Sequence, residues 1–157
     1  MAIIIKPPTP FAHLLSIPSI FLAGSIAMGQ AEPWQASVEA ALHDCVGLIL
    51  NPRRDDWDAS WRQAHDEPQF REQVEWELAA QEAVGLIIMY FDPATQAPIT
   101  LLELGLFAHS GRLVVCCPEG FWRKGNVDLV CARYGVPCVA DRAALIASAY
   151  AYLTRNS

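Results

Sequence analysis

Apolar residues along this chain fall into two kinds of run. Five short blocks are apolar at nearly every position: SIFLA (19–23), VGLIL (46–50), VGLIIMYF (84–91), LVVCC (113–117) and PCVA (137–140). A block of that kind predicts a strand covered on both faces, as in a parallel sheet, whereas a strand with one wet face would alternate. Between the blocks, apolar residues recur every three to four positions. That spacing predicts amphipathic helices over 33–44, 69–83, 100–109, 126–134 and 142–153. Pro33 suits a first helical turn, Asn126 is placed as an N-cap, and Gly111 and Gly135 follow helices as stops.

Strand and helix alternate five times, at spacings too long for hairpins. Right-handed crossovers then predict an α/β fold: a flavodoxin-like three-layer sandwich whose five-stranded parallel sheet has helices on both faces and strand order 2-1-3-4-5. Residues 1–18, with Pro7, Pro8, Pro10 and Pro18, read as an extended N-terminal arm carrying at most a short edge strand at Ile3, Ile4 and Ile5. Residues 19–157 form the domain. The stretch 55–68 is the longest irregular segment, and long loops in compact domains are often functional.

Such sheets bind ligands beyond the carboxyl ends of their strands, at the switch point. Here those ends bring forward Gly24 and Ser25, then Asn51, Arg53 and Arg54, then Asp92. Glu103 follows on the next helix, placed in its first turn and flanked by Leu101, Leu102, Leu104 and Leu106. A first-turn carboxylate is favoured in its ionised form by the helix dipole, by ~0.3–1 kcal/mol. It can be a reactive group in apolar surroundings or merely a complement to the dipole, and spacing weighs the two equally.

The remaining candidates carry paired readings of the same kind. Arg53 and Arg54 can hold a phosphate or a ligand carbonyl, or pair with Asp55, Asp56 and Asp58. Trp57 can stack on a planar ligand, or pack the loop together with Trp61. Gly24 and Ser25 before a helix make a small anion cradle at best.

Composition narrows the classes. At 157 residues with 53 % hydrophobic positions the chain fits one globular domain. A net charge of −6 argues against a nucleic-acid polymer as partner, which calls for a basic stripe. The 5 cysteines form no CxxC pair and read as reduced core thiols of a cytoplasmic protein. The 4 histidines have no ligand spacing, so no metal and no cofactor are expected. The apolar segment 11–29 resembles a secretory leader but is broken by Pro18 and supplies the first strand; no signal peptide and no membrane span are read.

Three pieces in order, FLAGSI (21–26), QVEWEL (73–78) and PITLLELGLF (98–107), resemble the nucleoside 2-deoxyribosyltransferases and their relatives, the 2'-deoxynucleoside 5'-phosphate N-hydrolases. The resemblance spans residues 19 to about 135. It implies that Glu103, in the ELG motif, is the nucleophile that attacks the anomeric carbon, ionised at neutral pH. It also implies an acid on the preceding helix that orients substrate, at Glu75 with Glu77 as second choice. The family's strand-one tyrosine falls on Phe21, and its proton-donating acid on Ala97, leaving Asp92 as the nearest substitute. An asparagine contributed to the neighbouring subunit's site falls near Asn126, so the resemblance implies a homodimer or higher homo-oligomer.

The expected function is therefore N-glycosyl transfer, moving a 2-deoxyribosyl or ribosyl group between free nucleobases on nucleosides or nucleotides. Two alternatives share the pocket: an N-glycoside hydrolase with the same nucleophile, and a nucleotide-binding protein without turnover, which the changes at Phe21 and Ala97 keep open.

Overall fold

A computed structural model of the chain describes residues 1–25 and 33–157. Along it run β1 (Ile3–Ile5), β2 (Ser19–Gly24), α1 (Trp34–Ala41), β3 (Leu48–Leu50), α2 (Pro68–Ala83), β4 (Leu86–Tyr90), α3 (Pro98–Phe107), β5 (Leu113–Cys116), α4 (Lys124–Tyr134), β6 (Cys138–Val139) and α5 (Arg142–Asn156). All strand pairs are parallel, in the order β1-β3-β2-β4-β5-β6. The sheet thus has six strands where five were expected. The sixth is the arm's Ile3–Ile5, which docks on β3 with Ile4 opposite Ile49; the prolines begin only at Pro7, beyond the pairing.

Side chains of successive strand residues point to opposite faces. One buried cluster joins Phe21, Ala23, Ile87 and Met89 of the central strands to Trp76 and Ala80 of α2, Leu104 and Phe107 of α3, and Val127 and Cys131 of α4. The other joins Ile20, Leu22, Ile88 and Tyr90 to Trp34 and Val38 of α1 and to Leu145, Ala149 and Leu153 of α5. Burial of all five residues of β4 accounts for its unbroken apolar sequence. The arm contributes Phe11 to the first cluster, edge-on to Trp76 at 5.4 Å between ring centroids.

Two helix starts differ from expectation by 2 residues. Pro98 opens α3, because its fixed φ suits the first helical position, so Glu103 lies in the second turn and outside the reach of the dipole. α4 begins at Lys124 after Arg123, so Asn126 is its third residue and not its cap. The Gly24–Ser25 cradle was expected to lead into residues 26–32, and these, with Ile26 of FLAGSI, lie outside the described residues.

Where β2 ends, Gly24 fits closely: a Cβ there would stand 2.6 Å from Trp34 Cζ2 and 2.6 Å from the carbonyl oxygen of Tyr90. A backbone atom of β4 cannot retreat as a side chain can. Gly24→Ala is expected to cost ~1–3 kcal/mol, read as a lower urea midpoint; an unchanged midpoint would refute this close approach.

Candidate active site

Glu103 stands on α3 with its carboxyl turned inward, 7 % exposed. Facing it is one side of α2. Gln73, Glu77 and Gln81 recur every four residues there, so their side chains line a single stripe. Gln81 Nε2 donates to Glu103 Oε2 at 2.5 Å and to the backbone oxygen of Glu77 at 3.2 Å. Gln73 Nε2 donates to Glu77 Oε1 at 2.6 Å and to the carbonyl oxygen of Pro52, just past the end of β3, at 2.9 Å. The stripe therefore runs from the carboxyl end of β3 to Glu103.

Burial dominates the electrostatics. Loss of water pushes the Glu103 carboxyl up to about 8; the nearby charge of Glu77 adds to this, and the Gln81 amide opposes it. Glu77 is pushed up to about 7, again by burial, against the hydrogen bond from Gln73. The expectation of a Glu103 ionised by its dipole and an ordinary pKa is thus corrected. It lies a turn too deep for the dipole, and removal of water outweighs what remains. Burial thus raises both acids, and the charge of Glu77 couples their titrations.

Around the strand ends the sequence-derived residues form a second, polar group. Asp92 is buried directly after β4; its Oδ1 accepts from the amide of Ala94 at 2.9 Å, and its own amide donates to Ser25 Oγ at 3.1 Å. Thr95 Oγ1 lies 2.8 Å from Ser25 Oγ and 2.9 Å from the Asp92 carbonyl oxygen. Asn51 is buried too, donating from Nδ2 to Glu39 Oε1 at 2.6 Å and accepting the Arg53 amide at 2.9 Å. Phe21, 1 % exposed, packs against Trp76 at 6.5 Å between centroids. Ala97, where the resemblance would place an acid, is buried in the left-handed region with φ 45°, a conformation in which a residue with a Cβ is strained.

Other residues stand apart from this arrangement. Glu75 is exposed on α2 and pairs with Arg71 at 2.8 Å; it is Glu77, two residues on, whose charge acts on Glu103. The physical reason is helical: two residues rotate a side chain by more than half a turn. Arg54 is occupied by Asp56 at 2.7 Å and Glu72 at 3.1 Å, and covers Trp61 at 4.9 Å. Trp57 packs edge-on against Trp61 at 5.0 Å. Asn126 is exposed on α4. Arg53 is half-buried at the end of β3, with no side-chain ion pair among the described residues.

Gln73 and Gln81 had no place in the sequence reading. Their signal was nonetheless present: polar residues at 73, 77 and 81 share the spacing that would otherwise build an apolar stripe. Among the described residues no cluster of three or more His, Cys, Asp or Glu side chains is placed to hold a metal, and no helix is long and apolar enough to cross a membrane.

The parallel sheet with helices packed on it places the chain in the α/β class, with Glu77 and Glu103 on two of its helices. Within it, the chain belongs to the nucleoside 2-deoxyribosyltransferase-like family, whose model matches residues 17–121. That span runs from just before β2 past β5 and includes every member of the Gln73–Glu77–Gln81–Glu103 stripe. No curated protein matches the chain. Family membership points to glycosyl transfer and to a nucleoside as the kind of molecule bound.

Proposed function

We propose that this protein is an N-glycosyl transferase that exchanges nucleobases on nucleosides by double displacement with retention, through a covalent glycosyl ester on Glu103. The observation that carries this reading is Glu103 itself: a buried glutamate in the family's ELG motif, held by Gln81 and facing a second acid. One Glu103 carboxylate oxygen attacks the anomeric carbon as the bond to the base nitrogen breaks. The electron pair leaves with the base, which takes up a proton. A nitrogen of the acceptor base then attacks the same carbon and gives up its proton to the acid that protonated the first base, while the ester bond breaks to restore the carboxylate. Two inversions leave the configuration retained. Glu77 takes the substrate-orienting role first assigned to Glu75, and Asp92, beside Ser25 and Thr95, is the acid at the strand ends that can serve the departing base.

Because burial raises the Glu103 carboxyl to about 8, rising pH favours the ionised form that attacks. Exchange is expected to quicken as pH rises from 6 to 8.

A hydrolytic reading has one observation in its favour. Arg53 at the end of β3 is free of ion pairs among the described residues, where a 5'-phosphate would meet a guanidinium. The deciding experiment is chromatography of 2'-deoxyinosine, and of its 5'-phosphate, incubated with and without adenine. A new adenine nucleoside formed only when adenine is supplied supports transfer. Free hypoxanthine without adenine, above all from the phosphate, supports hydrolysis, and ligand binding with no product would overturn both.

Two wider readings accompany this one. The two-faced core supports a flavodoxin-like three-layer sandwich. Ile99, Leu102 and Leu106, exposed at 60, 60 and 53 %, form an apolar stripe along α3, which supports a homo-oligomer that covers it.

A further inference from the structure

Gln81 is an unusual residue to find fully enclosed. Its side chain is buried, its backbone oxygen accepts from Arg112 Nη1 at 3.1 Å, and its amide nitrogen uses both hydrogens, one on Glu77 O and one on Glu103 Oε2. Its amide oxygen, equally buried, has no hydrogen-bond partner among the described residues. A buried acceptor left open is rare and calls for a reason.

We infer that Gln81 is a positioning residue for Glu103: it holds Oε2 by an N–H bond anchored on the α2 backbone and so leaves Oε1 as the oxygen that attacks. This rests on the reading of Glu103 as nucleophile and adds the group that aims it.

The chemistry of the amide explains both of its ends. An ionised carboxylate only accepts, so it takes the Nε2 hydrogen. A protonated one still accepts that hydrogen at its carbonyl oxygen, but more weakly, and its O–H finds an acceptor on Gln81, at the vacant Oε1, only if the amide turns over. Turning over breaks the bond to Glu77 O. The anchored orientation therefore favours the ionised nucleophile, against the burial and the Glu77 charge that favour the proton. Glu77 is the charged group that acts on Glu103 among the described residues, while Arg112 reaches Gln81 only at its carbonyl.

Gln81→Met keeps the length and removes the donor; Gln81→Glu keeps the shape and replaces the NH2 by oxygen. In either variant the acidic limb of kcat/KM for base exchange is expected to move at least one pH unit upward, with roughly tenfold lower activity at pH 7 and recovery towards pH 9. Carbon-13 NMR titration of the Glu103 carboxyl, assigned by its loss in Glu103→Gln, is expected to move in the same direction without any substrate. Far-ultraviolet circular dichroism establishes that the variant is folded. If Glu103→Gln is inactive and both Gln81 variants keep the parent pH profile and titration, the positioning role is wrong and the nucleophile stands. If Glu103→Gln still exchanges bases, the nucleophile reading itself falls. A uniform loss of kcat at every pH, with the Glu103 titration unmoved, would reduce Gln81 to a structural part and overturn the inference.

Discussion

Glu103→Gln loses base exchange by at least ~10³-fold while remaining folded. The substitution is isosteric, it fits the same buried space between α2 and α3, and it places an amide where the chemistry needs a carboxylate lone pair. An amide oxygen is too weak a nucleophile to open a glycosidic bond and too poor a stabiliser of the positive charge that develops at the anomeric carbon. Steady-state rates by chromatography, with a matched circular dichroism spectrum, check this. A variant that kept a tenth of the activity would remove Glu103 from the reaction. Glu75→Gln is the natural companion: exposed and paired with Arg71, it is expected to leave exchange within about twofold, whereas Glu77→Gln is expected to cost ~10²-fold or more, since its charge acts on Glu103.

The same Glu103→Gln protein is expected to be more stable than its parent in alkali. Burial raises the folded-state pKa of Glu103 to about 8 from an ordinary value of 4.5. Between those values the folded protein binds a proton that the unfolded chain has released. Stability from this group is thus full below about pH 4.5 and is lost as pH rises towards 8. Glu77, raised to about 7, has the same sign in a narrower window. Glutamine carries no proton to lose, so the variant should match the parent near pH 5 and exceed it at pH 8.5 by on the order of 2–4 kcal/mol. For a chain of this size that is at least ~4 °C in Tm. Thermal melts at the two pH values check it, and a Tm difference that does not change with pH would show that Glu103 titrates normally. Lost activity and gained stability in one variant would mark Glu103 as a residue kept for function at a cost to the fold.

Much of the architecture was legible in the chain. The continuous apolar blocks predicted strands covered on both faces, and β4, buried at all five positions, is their clearest case. The ELG motif singled out Glu103. The edge strand Ile3–Ile5 was read only as an option within the arm, because three isoleucines become a strand only if a neighbour offers a free edge, and β3 does. The choice between Glu75 and Glu77 also escaped sequence. Both lie on a helix whose apolar face is blurred by buried Gln73 and Gln81, so periodicity alone could not say which acid turns inward.

Sequence by itself determined the alternation of strand and helix and the parallel sheet that follows from it, and its motif brought Glu103 forward as the candidate acid, because periodicity and motif are properties of a single chain segment. Tertiary structure alone decided that the charge of Glu77 acts on Glu103, that Gln81 ties Glu103 to the α2 backbone and that burial raises both acids. Those outcomes depend on which surfaces of α2 and α3 exclude water from one another, and desolvation is a property of packed elements rather than of residues in order.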